Sequence, residues 1–234
     1  MPRAELHSWE VTPAEAIAIQ RRLRERVVLR DGPRPFRTVA GLDVSYDRRS
    51  PWLFAAIVVL RLPDLTLLET AGLRAPATFP YVPGLLSFRE APAGLRAAAA
   101  LRTRPDCLIC DGQGLAHHRR LGLACHVGLW LDLPTLGCAK SVLVGSYRPP
   151  GPERGNRSAL VDGGETVGMA LRTRQGTAPV FVSAGHRITL ERAVATVLAC
   201  SPRYRLPEPI RQAHALVNRL RVAGGGGGAA GEKG

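Results

Sequence analysis

Apolar and polar positions along this chain change period several times, and the changes outline its elements. Thr12 followed by Glu15 is a capping-box pattern, and Pro13 suits a first helical position. A helix is therefore predicted from there to about Leu29, ended by Asp31-Gly32-Pro33. Thr38 to Tyr46 alternates as a half-buried strand does. Phe54 to Arg61 and Thr66 to Leu73 read as two further strands, with Pro63-Asp64 at a turn between them. Three such strands in succession can form an antiparallel meander.

The pattern then changes. Pro76 to Pro83 is a proline-rich loop, and Leu85 to about Leu101 reads as a helix despite Pro92 and Gly94. Cys107 to Cys110 is a short apolar strand followed by the loop Asp111-Gly112-Gln113-Gly114. A helix is predicted from about Arg119 to Leu131 and a strand from Thr135 to Ala139, so this stretch reads as a parallel β-α-β unit. Gly151 to Gly155 is a loop. Thr166 to Arg172 and Pro179 to Val182 read as a strand pair, Thr189 caps a helix to Cys200, and a last helix runs from near Pro209 to near Val222. A meander, a helix, then parallel strands with helices is the outline of a ribonuclease H-like α/β fold, with a mixed sheet flanked by helices. Residues 1–223 are expected to form one domain of this kind. The glycine-rich stretch from 224 to 234 cannot bury a core and is read as a disordered tail.

Composition adds a partner class. Lys and Arg number 32 against 19 Asp and Glu, a formal charge of +13 that favours a polyanion. Thirty of the basic residues are arginines, so part of this excess reflects compositional bias; the exceptions are Lys140 and Lys233. The N-terminus has no apolar signal core, and the longest apolar run, Leu53 to Leu60, is too short to span a bilayer. A soluble, cytoplasmic monomer is expected. Cys107 and Cys110 form a CxxC, but residues three apart on a strand point to opposite faces and cannot easily share a metal. Inert core cysteines are the favoured reading.

The candidate chemistry is acidic. Asp43 lies in Val39-Ala40-Gly41-Leu42-Asp43-Val44-Ser45-Tyr46, and aspartate is poorly suited to a strand interior. It is either a site residue or a carboxylate on a solvated sheet face. Asp111 follows a strand directly, at the edge where α/β sheets collect ligands; an ordinary turn aspartate is the alternative. Glu90, alone, would be a solvated helical glutamate. Together, carboxylates on the first strand, the helix and the next parallel strand have the layout that collects magnesium in ribonuclease H-like nucleases. Lys140 stands directly after a strand in a chain that otherwise uses arginine, which suggests that a compact ammonium is needed there.

These segments, with Pro80-Tyr81-Val82-Pro83-Gly84-Leu85-Leu86-Ser87-Phe88-Arg89-Glu90, His117, Arg119, Gly122, His126, Pro134 to Ser141, Gly168 to Thr173, Val182 to Ile188 and Tyr204 to Pro209, resemble the endonuclease V family in order from about Val11 to Arg221. The resemblance implies a magnesium-dependent DNA repair endonuclease, manganese being able to substitute. Such an enzyme recognises deoxyinosine or other deaminated bases and hydrolyses the second phosphodiester 3′ to the lesion. It implies metal-binding roles for Asp43, Asp111 and Glu90, with His214 a weaker fourth candidate. It places Tyr81 as a DNA wedge. Gly84, Leu86, Gly112, His117 and Gly122 fall where the family's base pocket forms. His118, Cys125 and Ala184 depart from the expected proline, serine and proline. An inosine-specific ribonuclease on the same scaffold, a nuclease-dead binder of damaged DNA and a junction-processing nuclease remain as alternatives.

Overall fold

The computed structural model describes residues 5–46 and 51–224; the glycine-rich tail predicted from 224 onward lies almost wholly outside them. Among the described residues, nine strands form one sheet. Their ranges are β1 (Thr38–Tyr46), β2 (Trp52–Arg61), β3 (Leu67–Pro76), β4 (Cys107–Cys110), β5 (Thr135–Ala139), β6 (Ser146–Tyr147), β7 (Arg157–Asp162), β8 (Glu165–Leu171) and β9 (Val180–His186). The spatial order is β3-β2-β1-β4-β5-β9-β8-β7-β6. β1, β4 and β5 run parallel, and every other pairing is antiparallel. The helices are α1 (Pro13–Arg24), α2 (Leu86–Ala99), α3 (Leu123–Leu131), α4 (Leu190–Ala199) and α5 (Glu208–Gly224).

Both faces of the sheet are covered. On one, Ala40, Leu42 and Leu108 pack with Ala93 and Ala97 of α2 and Val127 of α3. On the other, Val39, Cys107 and Ile109 pack with Val194 of α4 and Ile210 of α5. Cys107 and Cys110 thus enter different cores, as strand alternation requires, and all five cysteines are buried and free. This is the mixed, helix-flanked ribonuclease H-like architecture that the element order predicted. No helix among the described residues is long and apolar enough to cross a membrane.

β3 and β9 run on to Pro76 and His186, past the Leu73 and Val182 read from sequence, and three further differences have a local cause. α1 stops at Arg24 because Val27 and Val28, weak helix formers, are drawn elsewhere. Val28 N–H donates to His186 Nδ1, and Val28 O accepts from Arg187 N–H. α3 starts at Leu123 with Gly122 as N-cap, since Arg120 takes a left-handed conformation at φ 55°. The hairpin β6–β7–β8 was not anticipated in full. β7 and β8 join through Gly163-Gly164, both at positive φ, a pair of glycines that favours a tight hairpin turn.

Candidate active site

Register brings the carboxylates together. Leu42 of β1 lies opposite Cys110 of the parallel strand β4, and Asp111 N–H continues the ladder onto Leu42 O at 3.0 Å. Asp43 and Asp111, each one residue further along, are therefore side by side. Gly41 decides what covers them. A Cβ there would overlap the carbonyl of Pro209, so only glycine lets the start of α5 lie against β1. That close approach delivers His214, two turns into α5, to the cluster: its Nδ1–H donates to Asp43 Oδ2 at 2.8 Å. Ligand atoms of Asp43, Asp111 and His214 lie within 4.8 Å of one another.

The electrostatics are those of a site short of positive charge. Asp43 is 7% exposed, and its carboxyl is raised above the ordinary range by desolvation first and the neighbouring Asp111 second, opposed by His214. Glu90 of α2 is buried, not solvated, at 6% exposure. Desolvation, then Asp43 and Asp111, push it well above the usual carboxylate range. Glu90 is not among the three whose ligand atoms converge; it stands behind them and feels both aspartates. Lys140, just past β5, turns its ammonium onto Asp111 Oδ2 at 2.5 Å. Oxygen donors and an imidazole, with carboxylates whose repulsion a divalent cation would relieve, fit a hard metal ion.

A cavity of about 350 Å³ opens beside this cluster. Asp111 and Lys140 line it, together with all six residues expected from sequence to touch the lesion: Tyr81, Gly84, Leu86, Gly112, His117 and Gly122. A larger cleft of about 830 Å³ lies at the opposite end of the parallel strands, among residues that precede β4 and β5, and contains none of them. Tyr81 is 62% exposed, which is not how a packing anchor sits. Gly84, at φ 76°, offers one carbonyl to three donors: Gln20 Nε2, His117 Nε2 and Arg119 Nη2. His117 Nδ1 meanwhile accepts from Arg119 N–H at 3.2 Å. Both ring nitrogens of His117 are thus committed to the loops, and its part in the cavity is wall and support. Gly122 is similar: its N–H donates to Gly114 O at 2.9 Å, and a Cβ would overlap Gln113 O. Its glycine serves loop packing, and its amide is already engaged.

Sequence inspection missed the polar chain behind α2. His7 Nδ1–H donates to Ser8 O, leaving Nε2 to accept from His126 Nε2–H at 2.7 Å and from Trp130 Nε1–H at 3.3 Å. His126 Nδ1 then accepts from the Ser87 hydroxyl at 3.0 Å. Burial, the main cause in each case, lowers the pKa of His7, His117 and His126, that of His117 to about 4. The folded protein keeps these rings neutral, while the unfolded chain protonates them near the ordinary value of 6.5. Stability is then complete above that value and falls with acid, for His117 between 6.5 and about 4. Because the raised carboxyls of Asp43 and Glu90 act in the opposite sense, the melting temperature of the parent should drop from pH 7 to pH 5 relative to that of His117→Gln; parallel profiles would contradict neutral burial of the ring.

A sequence model of the endonuclease V family matches residues 21–215. The chain belongs to the endonuclease V family. The endonuclease V of Roseiflexus sp. (strain RS-1) is 54% identical over 214 residues, covering 92% of this chain and 96% of the relative. Among solved structures, the endonuclease V of Streptomyces avermitilis superposes with a TM-score of 0.89 at 44% identity, covering 93% of this chain and 96% of that one. The endonuclease V of Ciona intestinalis, solved with a 24mer DNA containing an inosine followed by a ribo-adenosine, superposes with a TM-score of 0.78. It is 27% identical, covering 90% of this chain and 98% of that one. The family match embraces Asp43, Glu90, Asp111, Lys140 and His214.

Proposed function

We propose that this protein is a magnesium-dependent endonuclease that recognises deoxyinosine in DNA and hydrolyses the second phosphodiester bond on its 3′ side, leaving a nick. The observation that carries this reading is the convergence of Asp43, Asp111 and His214 within 4.8 Å beside a cavity lined by an exposed tyrosine and small residues. The inosine-containing DNA held by the Ciona relative supports the substrate class.

Asp43, Asp111 and His214 would hold the magnesium ion, and manganese suits the same donors. When bound, the ion neutralises charge on the phosphodiester oxygens during in-line displacement. Glu90, buried behind the aspartates, orders the cluster, its carboxyl pushed above the ordinary range by burial and by both aspartates. Lys140 places a compact positive charge at the scissile phosphate. Tyr81, stiffened by Pro80 and Pro83, enters the stack where the extruded base has been. The base lies in the cavity under Leu86, against the loop of Gly112, with His117 and Gly122 holding the walls.

A second reading is favoured by one observation: the relative's DNA carries a ribonucleotide directly after the inosine. Matched inosine-containing DNA and RNA oligomers, assayed with and without magnesium, separate the two. Magnesium-dependent nicking of the DNA above the RNA is expected. Equal cutting of oligomers lacking inosine would overturn the proposal, and a preference for RNA would establish the ribonuclease reading.

Tyr81 gives a sharper test. Base–aromatic stacking is worth about 1–3 kcal/mol, so Tyr81→Ala should weaken binding to inosine duplexes roughly ten- to a hundredfold. Tyr81→Phe should be nearly neutral, and the loss should shrink on single strands, where little unstacking is needed. A fall in melting temperature with no duplex-selective defect would make Tyr81 a packing residue instead.

A further inference from the structure

The loop between α4 and α5 reaches back to the strand ends where β5 stops and β9 begins, and so to the site lysine. The antiparallel pair β5–β9 ends at Ala139 opposite Phe181. The ladder cannot simply run on, because Pro179 has no N–H to give, and the carbonyls of Lys140, Ala178 and Pro179 at this strand end take a side-chain donor instead. One guanidinium supplies them. Arg205 donates from Nε to Ala178 O at 2.9 Å, and from Nη2 to Pro179 O at 2.9 Å and to Lys140 O at 3.0 Å. Its own main chain is fixed in turn, since Arg205 O accepts the Thr173 hydroxyl at 2.6 Å.

We propose that Arg205 is the positioning residue of Lys140: its guanidinium bridges Lys140 O to the carbonyls of Ala178 and Pro179 and so fixes the main chain from which the ammonium reaches Asp111. The functional consequence rests on the role given to Lys140 above. A lysine ammonium sits on a flexible four-carbon stem, so its aim depends on where that stem starts. Lys140 is the first residue beyond β5, and its aim toward Asp111 is inherited from the strand only if the strand end is held. Arginine suits this task because its planar fork serves several carbonyls at once, which a point donor does less well. The residue touches neither the carboxylates nor the cavity, so it acts through Lys140 alone.

The composition provides a clean readout. Lys140 and Lys233 are the only lysines in the chain. Reductive methylation with ¹³C-formaldehyde therefore gives two lysine signals, which Lys233→Arg assigns. In the full-length protein, Arg205→Ala should move the Lys140 signal toward that of Lys233. With magnesium and an inosine duplex it should lower kcat about ten- to a hundredfold, as misplacement by about an ångström does, with KM changed less than about threefold. Adding Arg205→Ala to Lys140→Ala should cost nothing further, since both act through one group. Arg205→Lys should fold like the parent and fall between parent and alanine variant in both signal and rate. Arg192→Ala, which removes a guanidinium bonded to the carbonyls of Gly32 and Arg34 far from the site, should lower melting temperature and leave signal and kcat alone.

An unmoved Lys140 signal in both Arg205 variants would overturn the proposal, as would an unchanged kcat in a variant that merely melts earlier. If Lys140→Ala itself nicks like the parent, the role assigned to the lysine fails, whereas the methyl signal still decides whether Arg205 holds it.

Discussion

Alanine at Asp43 or Asp111 should reduce nicking of an inosine duplex by at least about 10³-fold, because each removes a carboxylate from the site where charge on the phosphate must be neutralised. Binding of the duplex should survive, since affinity for DNA rests mainly on phosphate contacts spread over a basic surface. His214→Ala should cost less, about 10–100-fold, because it leaves both carboxylates to hold the metal and removes one donor at an exposed position. A stability measurement runs in the opposite direction and makes the result hard to mistake for unfolding. The Asp43 carboxyl is raised by burial and by Asp111. A raised carboxylate binds more protons folded than unfolded, so its charged form weakens the fold as pH rises through the shifted value, and the weakening persists above it. Without metal, Asp43→Asn should therefore melt no lower than the parent at neutral pH, and magnesium should no longer raise its melting temperature. Near-parental, magnesium-dependent nicking by either alanine variant would remove these aspartates from the mechanism.

The acidic cluster could be read from the sequence because its members break local rules. Asp43 interrupts an alternating strand, and Asp111 follows a run of four apolar residues at the end where such sheets bind ligands. The burial of Glu90 could not be read that way. A glutamate on an amphipathic helix looks solvated until tertiary packing places the helix face, and here α2 turns Glu90 inward beside Phe88 and Ala91. His214 was legible only by resemblance, because its approach depends on Gly41 admitting α5, a contact across more than 160 residues. Arg205 lies in the resembling segment Tyr204 to Pro209, but the resemblance gave it no role: one arginine among thirty has no assignable task until its acceptors are seen. Gly122 and His117 were legible as positions but not as functions, since their hydrogen bonds run to Gly114 and Gly84 and stabilise loops that only the fold brings together. The β7–β8 hairpin was legible in principle from Gly163-Gly164, but β7 is half exposed, and β6, which pairs with it, has only two residues.

Lys140→Ala should slow the chemical step by about 10²–10³-fold, the range for removing one preorganised electrostatic stabiliser. The more informative substitution is Lys140→Arg. It keeps the charge, in a chain where arginine serves nearly every other basic position. If charge alone matters, it should restore most of the rate. The geometry argues otherwise. The ammonium is already in contact with Asp111 Oδ2 at 2.5 Å, at the wall of a cavity of about 350 Å³. A guanidinium is broad and planar, prefers to engage a carboxylate through two nitrogens, and would either overfill this corner or clamp both oxygens of Asp111 that a metal needs. Lys140→Arg should therefore remain about ten- to a hundredfold slower than the parent in single-turnover nicking. Its duplex affinity should stay within a few-fold, because one phosphate contact among many sets little of the salt-dependent binding. Raising magnesium should recover part of the rate if the arginine competes for Asp111, and none if it only misplaces charge. A Lys140→Arg enzyme that nicks within about twofold of the parent at ordinary magnesium would refute the need for lysine at this position, since even the smallest effect expected of a lost stabiliser exceeds that.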